Sequence, residues 1–474
     1  MNLRRTKIVA TIGPASESRE VIDELLRLDV NVFRLNFSHG TQDEHRRRIR
    51  LIRRCCRAAG KEAAIMQDLC GPKIRVRSME GGGAMLQSGS RVRIDTRPTV
   101  GNSRCFSTTY RRLPGDVRKG TVILLDDGRL ELLVTSRSEH TVSCRVIRGG
   151  FLAGGKGMNL PGATISAPAV TPKDLRDLKL GIEENVDFVA LSFVRRAEDV
   201  RRVRRLLDRQ GSDAQIISKI EKPQAVGNID ALLDVSDGIL VARGDLGVEM
   251  DLARVPVLQK DMVRRANEKD KYVIVATQML DSMIRNPVPT RAEVSDVTNA
   301  ILDGADALML SGETAIGSYP AGAVRMLERI AVQAENYAAM NRPPWDWTRI
   351  NPVHPVQDAV ALAAFDLCRD LKAAAIAAYS ATGGTALFLS RNRPSAPIVA
   401  FTSDRRALRR MHLFWGVMPV LDPSIRGKDG LIAGAKAWLS SAAPAKREQA
   451  LVVVAGSHFG EVGSTNGVEV AVLP

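Results

Sequence analysis

The stretch QIISKIEKPQAV, residues 215–226, decides how the rest of the chain is read. Gln215 to Glu221 has the apolar run of a strand, yet Lys219 and Glu221 stand two apart near its end. Alternate residues of a strand share a face. A cation and a carboxylate therefore point the same way from an element that should be largely buried. Burying charge without partners is costly. The pair is either an internal ion pair or the edge of a site, and the neighbouring strands decide between the two.

Working outward, seven more runs read as strands: TKIVATIG (6–13), NVFRLNF (31–37), AAIMQDL (63–69), VDFVALSFV (186–194), GILVARGDL (238–246), YVIVATQM (272–279) and ALMLSGET (307–314). Helical patterns separate them, for example at 19–28, 173–181, 197–210 and 255–267. Eight β/α units predict an α/β fold whose parallel strands close into a (β/α)8 TIM barrel. The third unit is interrupted. From residue 71 to 167, Gly, Ser, Thr and Arg rise, and short alternating runs such as SRVRIDTR and TVILLDDGRLELLV predict a small inserted β domain. An insertion at the C-terminal face of the barrel is placed to act as a lid. After a helix at 321–340, the proline-rich NRPPWDWTRINPVHP (341–355) breaks all periodicity and marks a boundary. The runs KAAAIAAYS, APIVAFT and ALVVVAG then predict a doubly wound α/β domain. The expected division is a barrel of residues 1–70 and 168–345, an inserted lid of 71–167, and a C-terminal domain of 346–474.

Composition narrows the function. A chain of 474 residues exceeds one hydrophobic core. The net charge of +15 suggests phosphate-bearing partners. Aromatics at 4% argue against base stacking on single-stranded nucleic acid. The densest basic run, His45 to Arg57, sets Ile49, Leu51, Ile52, Cys55 and Cys56 on one helical face and its arginines on the solvated side. The basic residues are otherwise dispersed, so a small phosphorylated ligand suits the chain better than nucleic acid. Six cysteines, at 55, 56, 70, 105, 144 and 368, form no C-x-x-C pair and suit a reducing cytosol. The N-terminus lacks the apolar core of a signal peptide, and no run is long enough to span a membrane, so a cytoplasmic protein is expected.

The strand ends carry the unusual residues: Arg34, Asn36, Ser38 and His39 after the second strand, Asp68 at the third, Lys219 and Glu221 at the fifth, Arg243, Gly244 and Asp245 at the sixth, Thr277 and Gln278 at the seventh, Ser311 and Glu313 at the eighth. Chemistry in such barrels sits at the C-terminal ends of the strands. Convergence of this many polar groups on one face favours a site over an isolated ion pair. Glu221 and Asp245 are hard oxygen ligands without His or Cys partners, which suits Mg²⁺ or Mn²⁺. Arg34, Lys73, Arg75 and Lys219 supply positive charge around them. A divalent ion among cations is what phosphoryl transfer requires. No P-loop or dinucleotide-binding glycine fingerprint is present.

With these residues in view, the chain resembles pyruvate kinase along nearly its whole length. The matching stretches, in order, are TKIVATIGPAS, NVFRLNFSHG, DLCGPKIR, LLDDG, KGMNLPG, ISKIEKPQAV, ILVARGDLGVE, VATQMLDSM, PTRAEVSDVTNAILDGADALMLSGETA and GSTN. The resemblance implies phosphoryl transfer from phosphoenolpyruvate to ADP, giving pyruvate and ATP, with a (β/α)8 barrel, an inserted small β-barrel lid and a regulatory C-terminal domain, usually in a homotetramer. It implies that Arg34 and Lys219 meet the phosphoryl group, that Glu221 and Asp245 hold the divalent ion, and that Gly244 and Asp245 line the substrate pocket. Thr277 then lies near the carbon that becomes a methyl group, orienting a water relay. Asn36, Ser38, His39 and Arg75 would face the nucleotide, and Lys156 would reach it from the lid.

Two departures from common members stand out. Many members carry glutamate where this chain has Lys73, and bind K⁺ through positions matching Asn36, Ser38, Asp68 and the Leu69 carbonyl. Lysine supplies that charge itself, so K⁺ is expected not to be required. A second group of members shares the lysine, together with Leu69 and an apolar residue at Val76; Cys70 reads as spacing. The second departure is YSATGGTALFLS, where Ser380, Thr382, Gly383 and Thr385 make a phosphate cradle before a helix. The basic residues expected at Ala381 or Gly384 for a sugar bisphosphate are absent. The expectation is a sugar monophosphate or nucleotide effector, or a different arrangement of basic groups. Two other readings stay open on sequence grounds: a barrel lyase or aldolase with a Schiff base on Lys219, and a non-catalytic RNA binder.

Overall fold

The computed structural model describes residues 3–163, 165–341, 353–442 and 448–473. Eight parallel strands close into a barrel: Lys7–Thr11, Val32–Asn36, Ala64–Leu69, Phe188–Leu191, Gln215–Ile220, Gly238–Ala242, Tyr272–Ala276 and Ala307–Leu310. They follow one another around the barrel in chain order, with the last beside the first. Each lies within a run read as a strand from sequence. They are nearly all buried, because barrel strands are covered by packed side chains inside and by helices outside.

Local signals fix the helices. Thr41 caps the helix Gln42–Ala59 with Glu44 in a reciprocal capping box, and Thr171 with Asp174 does the same for Pro172–Glu183. Each such cap contributes about 1 kcal/mol. In Gln42–Ala59 the buried residues include Ile49, Ile52, Cys55 and Cys56. Its arginines pair with acids on neighbouring elements, Arg46 with Glu183, Arg50 with Glu184 and Arg53 with Asp187. This dense basic run is therefore a solvated, paired helix face.

Between the third and fourth barrel strands the chain builds a six-stranded sheet and a two-stranded ribbon. This insertion has its own apolar core around Val92, Ile94, Phe106, Leu132 and Val146. A separate core lets it behave as a unit hung on the barrel.

The C-terminal sheet has the order Val417–Leu421, Ile398–Thr402, Ala375–Tyr379, Ala450–Gly456 and Thr465–Val472. Apolar clusters on both faces make it doubly wound. Its last strand is antiparallel to its neighbour. This domain docks at the N-terminal ends of the barrel strands. Lys7 donates to the Val417 carbonyl at 2.6 Å, Arg393 pairs with Asp306 at 2.8 Å, and Arg409 pairs with Asp187 at 2.6 Å. The opposite end of the barrel is left to the insertion. The boundary expected near residue 345 lies outside the described residues.

Candidate active site at the barrel mouth

Strand register brings the charged residues together. Arg34 lies beside Thr11 in the neighbouring strand, and Asn36 lies beside Asp68. Asp68 is the hub. Its Oδ2 accepts from Arg34 Nε at 2.8 Å and lies 2.6 Å from Nη2, so two arms of the guanidinium converge on one oxygen. Arg34 Nη1 donates to Thr11 Oγ1 at 2.9 Å. The other oxygen, Asp68 Oδ1, lies 3.2 Å from Lys219 Nζ and accepts from Ser192 Oγ at 3.2 Å.

Lys219 Nζ meets three acceptors: Ser192 Oγ at 2.7 Å, Glu221 Oε1 at 2.9 Å and Asp68. Lys219 and Glu221 do form an ion pair, but within a larger cluster. Glu221 Oε2 accepts from the Phe193 N–H at 2.7 Å. That N–H is aimed by a left-handed backbone at Phe193, φ 56°, a strained conformation for a bulky residue. Gly71, where the chain leaves for the insertion, has φ 65°, and a Cβ there would sit 2.9 Å from the Ser192 carbonyl oxygen.

The cluster sets its own charge states. Burial works to pull the Lys219 ammonium down, but Asp68 and then Glu221 outweigh it, and its pKa lies well above the ordinary lysine value. Burial pushes Asp68 up, and Lys219 with Arg34 reverse this to hold it below the usual carboxylate range. Glu221 is raised, first by burial; Lys219 opposes that shift and the charge of Asp245 adds to it. A lysine kept this firmly charged is a poor amine nucleophile, which counts against the Schiff-base alternative.

Asp245 sits in the first turn of the short helix Arg243–Glu249, just past the sixth strand. The Gly244 N–H donates to Thr277 Oγ1 at 2.7 Å, and that hydroxyl donates to the Ala276 carbonyl at 2.6 Å. Thr277 and Gln278 both have left-handed backbones, φ 71° and 55°. Thr277 thus holds the turn that carries Asp245. Glu221 and Asp245 suit a hard divalent cation: two carboxylates whose charges act on one another, with no third acidic, His or Cys partner assembled as a ligand group among the described residues. Water and substrate oxygens would complete such a shell.

Other expected residues lie around this centre. The imidazole of His39 is lowered by burial and then by the charges of Arg75, Lys73 and Arg34, which puts these four in one electrostatic neighbourhood. The Asn36 side chain accepts from the Ser38 N–H at 3.1 Å. Arg75 Nη1 donates to the Gly155 carbonyl at 2.9 Å, and Lys156 Nζ pairs with Asp126 at 2.8 Å, so both are engaged within the insertion. Lys73 and Asp245 line a common pocket with Asp127, Asn159, Phe193 and Lys222. Two strand-end groups serve the scaffold. Arg243 holds Asp296 and the Thr277 carbonyl, and Glu313 accepts from the Leu280 and Ser311 N–H groups. Ser192 and the Phe193 N–H were not legible as site groups; a serine near a strand end carries no distinguishing signal.

In the C-terminal domain, Ser380, Thr382 and Thr385 line a cavity of about 780 Å³, with Gly383 (φ 101°) capping the helix Gly384–Arg391. Thr385 and Thr465 share a hydrogen bond at 2.6 Å, which joins this loop to the GSTN segment.

Comparison with known proteins gives the family. Residues 3–324 match the family model "Pyruvate kinase, barrel domain", and residues 358–471 match "Pyruvate kinase, alpha/beta domain". A pyruvate kinase of Staphylococcus aureus (strain MRSA252) is 43% identical over 470 residues, covering 99% of this chain and 80% of the relative. One from Sporosarcina psychrophila is 43% identical over 475 residues, covering 99% and 81%. A crystal structure of a pyruvate kinase from Cryptosporidium parvum superposes with a TM-score of 0.91 at 35% identity, over 99% of this chain and 96% of that one. The chain belongs to the pyruvate kinase family.

Proposed function

We infer that the barrel mouth transfers the phosphoryl group of phosphoenolpyruvate to ADP, releasing pyruvate and ATP. The observation that carries the reading is the buried Arg34–Asp68–Lys219–Glu221 cluster, in which the lysine is held charged. The bond between phosphorus and the enol oxygen breaks, a bond to a terminal oxygen of ADP forms, and the enolate left behind takes a proton at C3. Catalysis of such a transfer is mainly positioning and charge neutralisation.

Each side chain has capacity for its part. Three of the five N–H groups of Arg34 are directed to Asp68 and Thr11, which leaves two for phosphoryl oxygens. The three N–H groups of Lys219 face Ser192, Glu221 and Asp68; the contact to Asp68, at 3.2 Å, is the longest and the readiest to exchange for a phosphoryl oxygen. A divalent cation is a family requirement, which we assign to Mg²⁺ or Mn²⁺ on Glu221 and Asp245. When bound, it supplies charge neutralisation at phosphoryl oxygens. Thr277 fixes the Gly244–Asp245 turn and orients the water that delivers the proton to C3.

On this reading Asn36, Ser38, His39, Arg75 and Lys156 receive the nucleotide phosphates, and the insertion closes over them as a lid. The ammonium of Lys73 takes the place of K⁺. The Ser380–Thr385 loop and the helix behind it bind the phosphate of a sugar monophosphate or nucleotide effector. The working assembly is a homotetramer in the cytosol; among the described residues no helix is long and apolar enough to cross a membrane. A coupled assay of pyruvate formation from phosphoenolpyruvate and ADP tests the reading, run with K⁺ or a tetraalkylammonium salt and with a panel of phosphate effectors. No pyruvate under any of these conditions refutes it.

A further inference from the structure

One buried carboxylate beside this site is used by none of the steps above. Glu249 ends the helix whose first turn carries Asp245, four residues later, so the two acids lie on one face of it. Lys222 follows Glu221 directly in the chain, and its ammonium lies 2.5 Å from Glu249 Oε1. Lys222 and Glu249 thus form a second charged pair beside Glu221 and Asp245, both of its members buried. Lys222 Nζ also lies 5.6 Å from the centre of the Phe193 ring, and Phe193 is the residue whose N–H holds Glu221.

The same oxygen, Glu249 Oε1, accepts from the side-chain amide of Asn159 at 2.7 Å. Asn159 belongs to the insertion, where the short strand Met158–Asn159 pairs with Val122–Leu125. Its position therefore reports that of the whole inserted sheet. Asn159, Lys222, Phe193 and Asp245 line one pocket, with walls from both the insertion and the barrel.

We propose that Glu249 is a positioning residue with two tasks: it neutralises Lys222 so that this cation does not compete for Glu221 and Asp245, and through Asn159 it docks the insertion over the barrel mouth. The proposal rests on the assignment of Glu221 and Asp245 as the ligands of a divalent ion. If Glu249 is removed, Lys222 is left buried without its carboxylate partner, in the pocket that Asp245 also lines. A unit charge within several ångströms of a divalent ion in partly buried surroundings weakens its binding by about tenfold or more. Asn159 carries no charge, so its loss affects docking alone.

The test is equilibrium binding of Mn²⁺ to the full-length protein, followed by the signal of free Mn²⁺ in electron paramagnetic resonance. Glu249→Ala and the isosteric Glu249→Gln are each expected to weaken Mn²⁺ binding about tenfold. The double variant Lys222→Met, Glu249→Ala removes the stranded cation and is expected to return affinity to within about threefold of the unaltered protein. A purely structural role for Glu249 would not give that rescue. Asn159→Ala is expected to leave Mn²⁺ affinity within about twofold while raising the KM for ADP and speeding proteolysis of the insertion. Unchanged Mn²⁺ affinity in a folded Glu249→Gln protein overturns the proposal and leaves the ligand assignment standing, as does a double variant no better than Glu249→Ala. If the unaltered protein binds no Mn²⁺, the ligand assignment fails and the proposal with it.

Discussion

Asp68→Asn removes one charge from the centre of the site and changes almost no volume. Its carboxylate meets Arg34 Nε at 2.8 Å, Arg34 Nη2 at 2.6 Å and Lys219 at 3.2 Å. An amide has a single acceptor oxygen, so either the arginine fork or the lysine and Ser192 would face an NH₂ donor. Losing one partner of a buried ion pair costs about 3–5 kcal/mol, because the other charge remains buried. If roughly half of that falls on the alignment of Arg34 and Lys219 in the transition state, kcat drops about 10- to 70-fold. The cluster of Arg34, Lys219, Asp68 and Glu221 changes from neutral to one net positive charge, which favours an anionic substrate in the ground state. The KM for phosphoenolpyruvate should therefore not rise with the fall in kcat. Steady-state kinetics at saturating ADP separate these terms. A kcat within threefold of the unaltered enzyme, or a loss expressed only in KM, would refute the reasoning. Acid stability gives a second readout. Asp68 is held below its unfolded value by Lys219 and Arg34 in spite of burial, so its contribution to stability is present above the unfolded pKa near 4 and is lost as pH falls through the folded value. The asparagine variant should lack that component.

Replacing Lys73 with glutamate should create a need for K⁺, seen as a rate in KCl well above that in a tetraalkylammonium salt, whereas the unaltered enzyme should differ little between the two. Thr277→Ala should abolish proton exchange at C3 of pyruvate and Thr277→Ser should keep it; exchange that survives in the alanine variant removes Thr277 from the proton path. Lys7 is lowered to about 7, first by burial and then by the charge of Arg4. Between about pH 7 and its unfolded pKa near 10.4 the unfolded chain holds the extra proton, so stability from this group rises with pH across that window. In denaturant titrations Lys7→Met should gain a few kcal/mol relative to the unaltered protein at pH 7 and below, and the difference should shrink towards pH 10.

The barrel was legible because eight apolar runs alternate with helical patterns, and six of those runs end in polar residues, as the mouth of a ring of parallel strands requires. The edge strands of the C-terminal sheet were not. Val417–Leu421 is half-exposed and contains Pro419, and Thr465–Val472 contains Gly467 and is largely uncovered, so neither shows the run or the alternation of a buried strand. At the site, alternation placed Lys219 and Glu221 on one side. It could not tell that Asp68, from a strand two places away around the barrel, is shared between Arg34 and Lys219. Nor did it single out Lys222 and Glu249, whose pairing depends on how a turn and a helix end meet in space. Sequence periodicity gives the direction of a side chain, and the partners it meets are set by strand order and loop geometry.

The central claim is a division of labour in which Lys219 acts on the transferring phosphoryl group and Glu221 holds the divalent ion beside it. Lys219→Met separates the two. Turnover should fall by about a thousandfold, on the scale of losing a contact made chiefly in the transition state. Mn²⁺ binding should be retained or tightened, because Glu221 loses the cation 2.9 Å away. Lost Mn²⁺ binding in a folded Lys219→Met protein, or turnover within tenfold of the unaltered enzyme, would contradict the account.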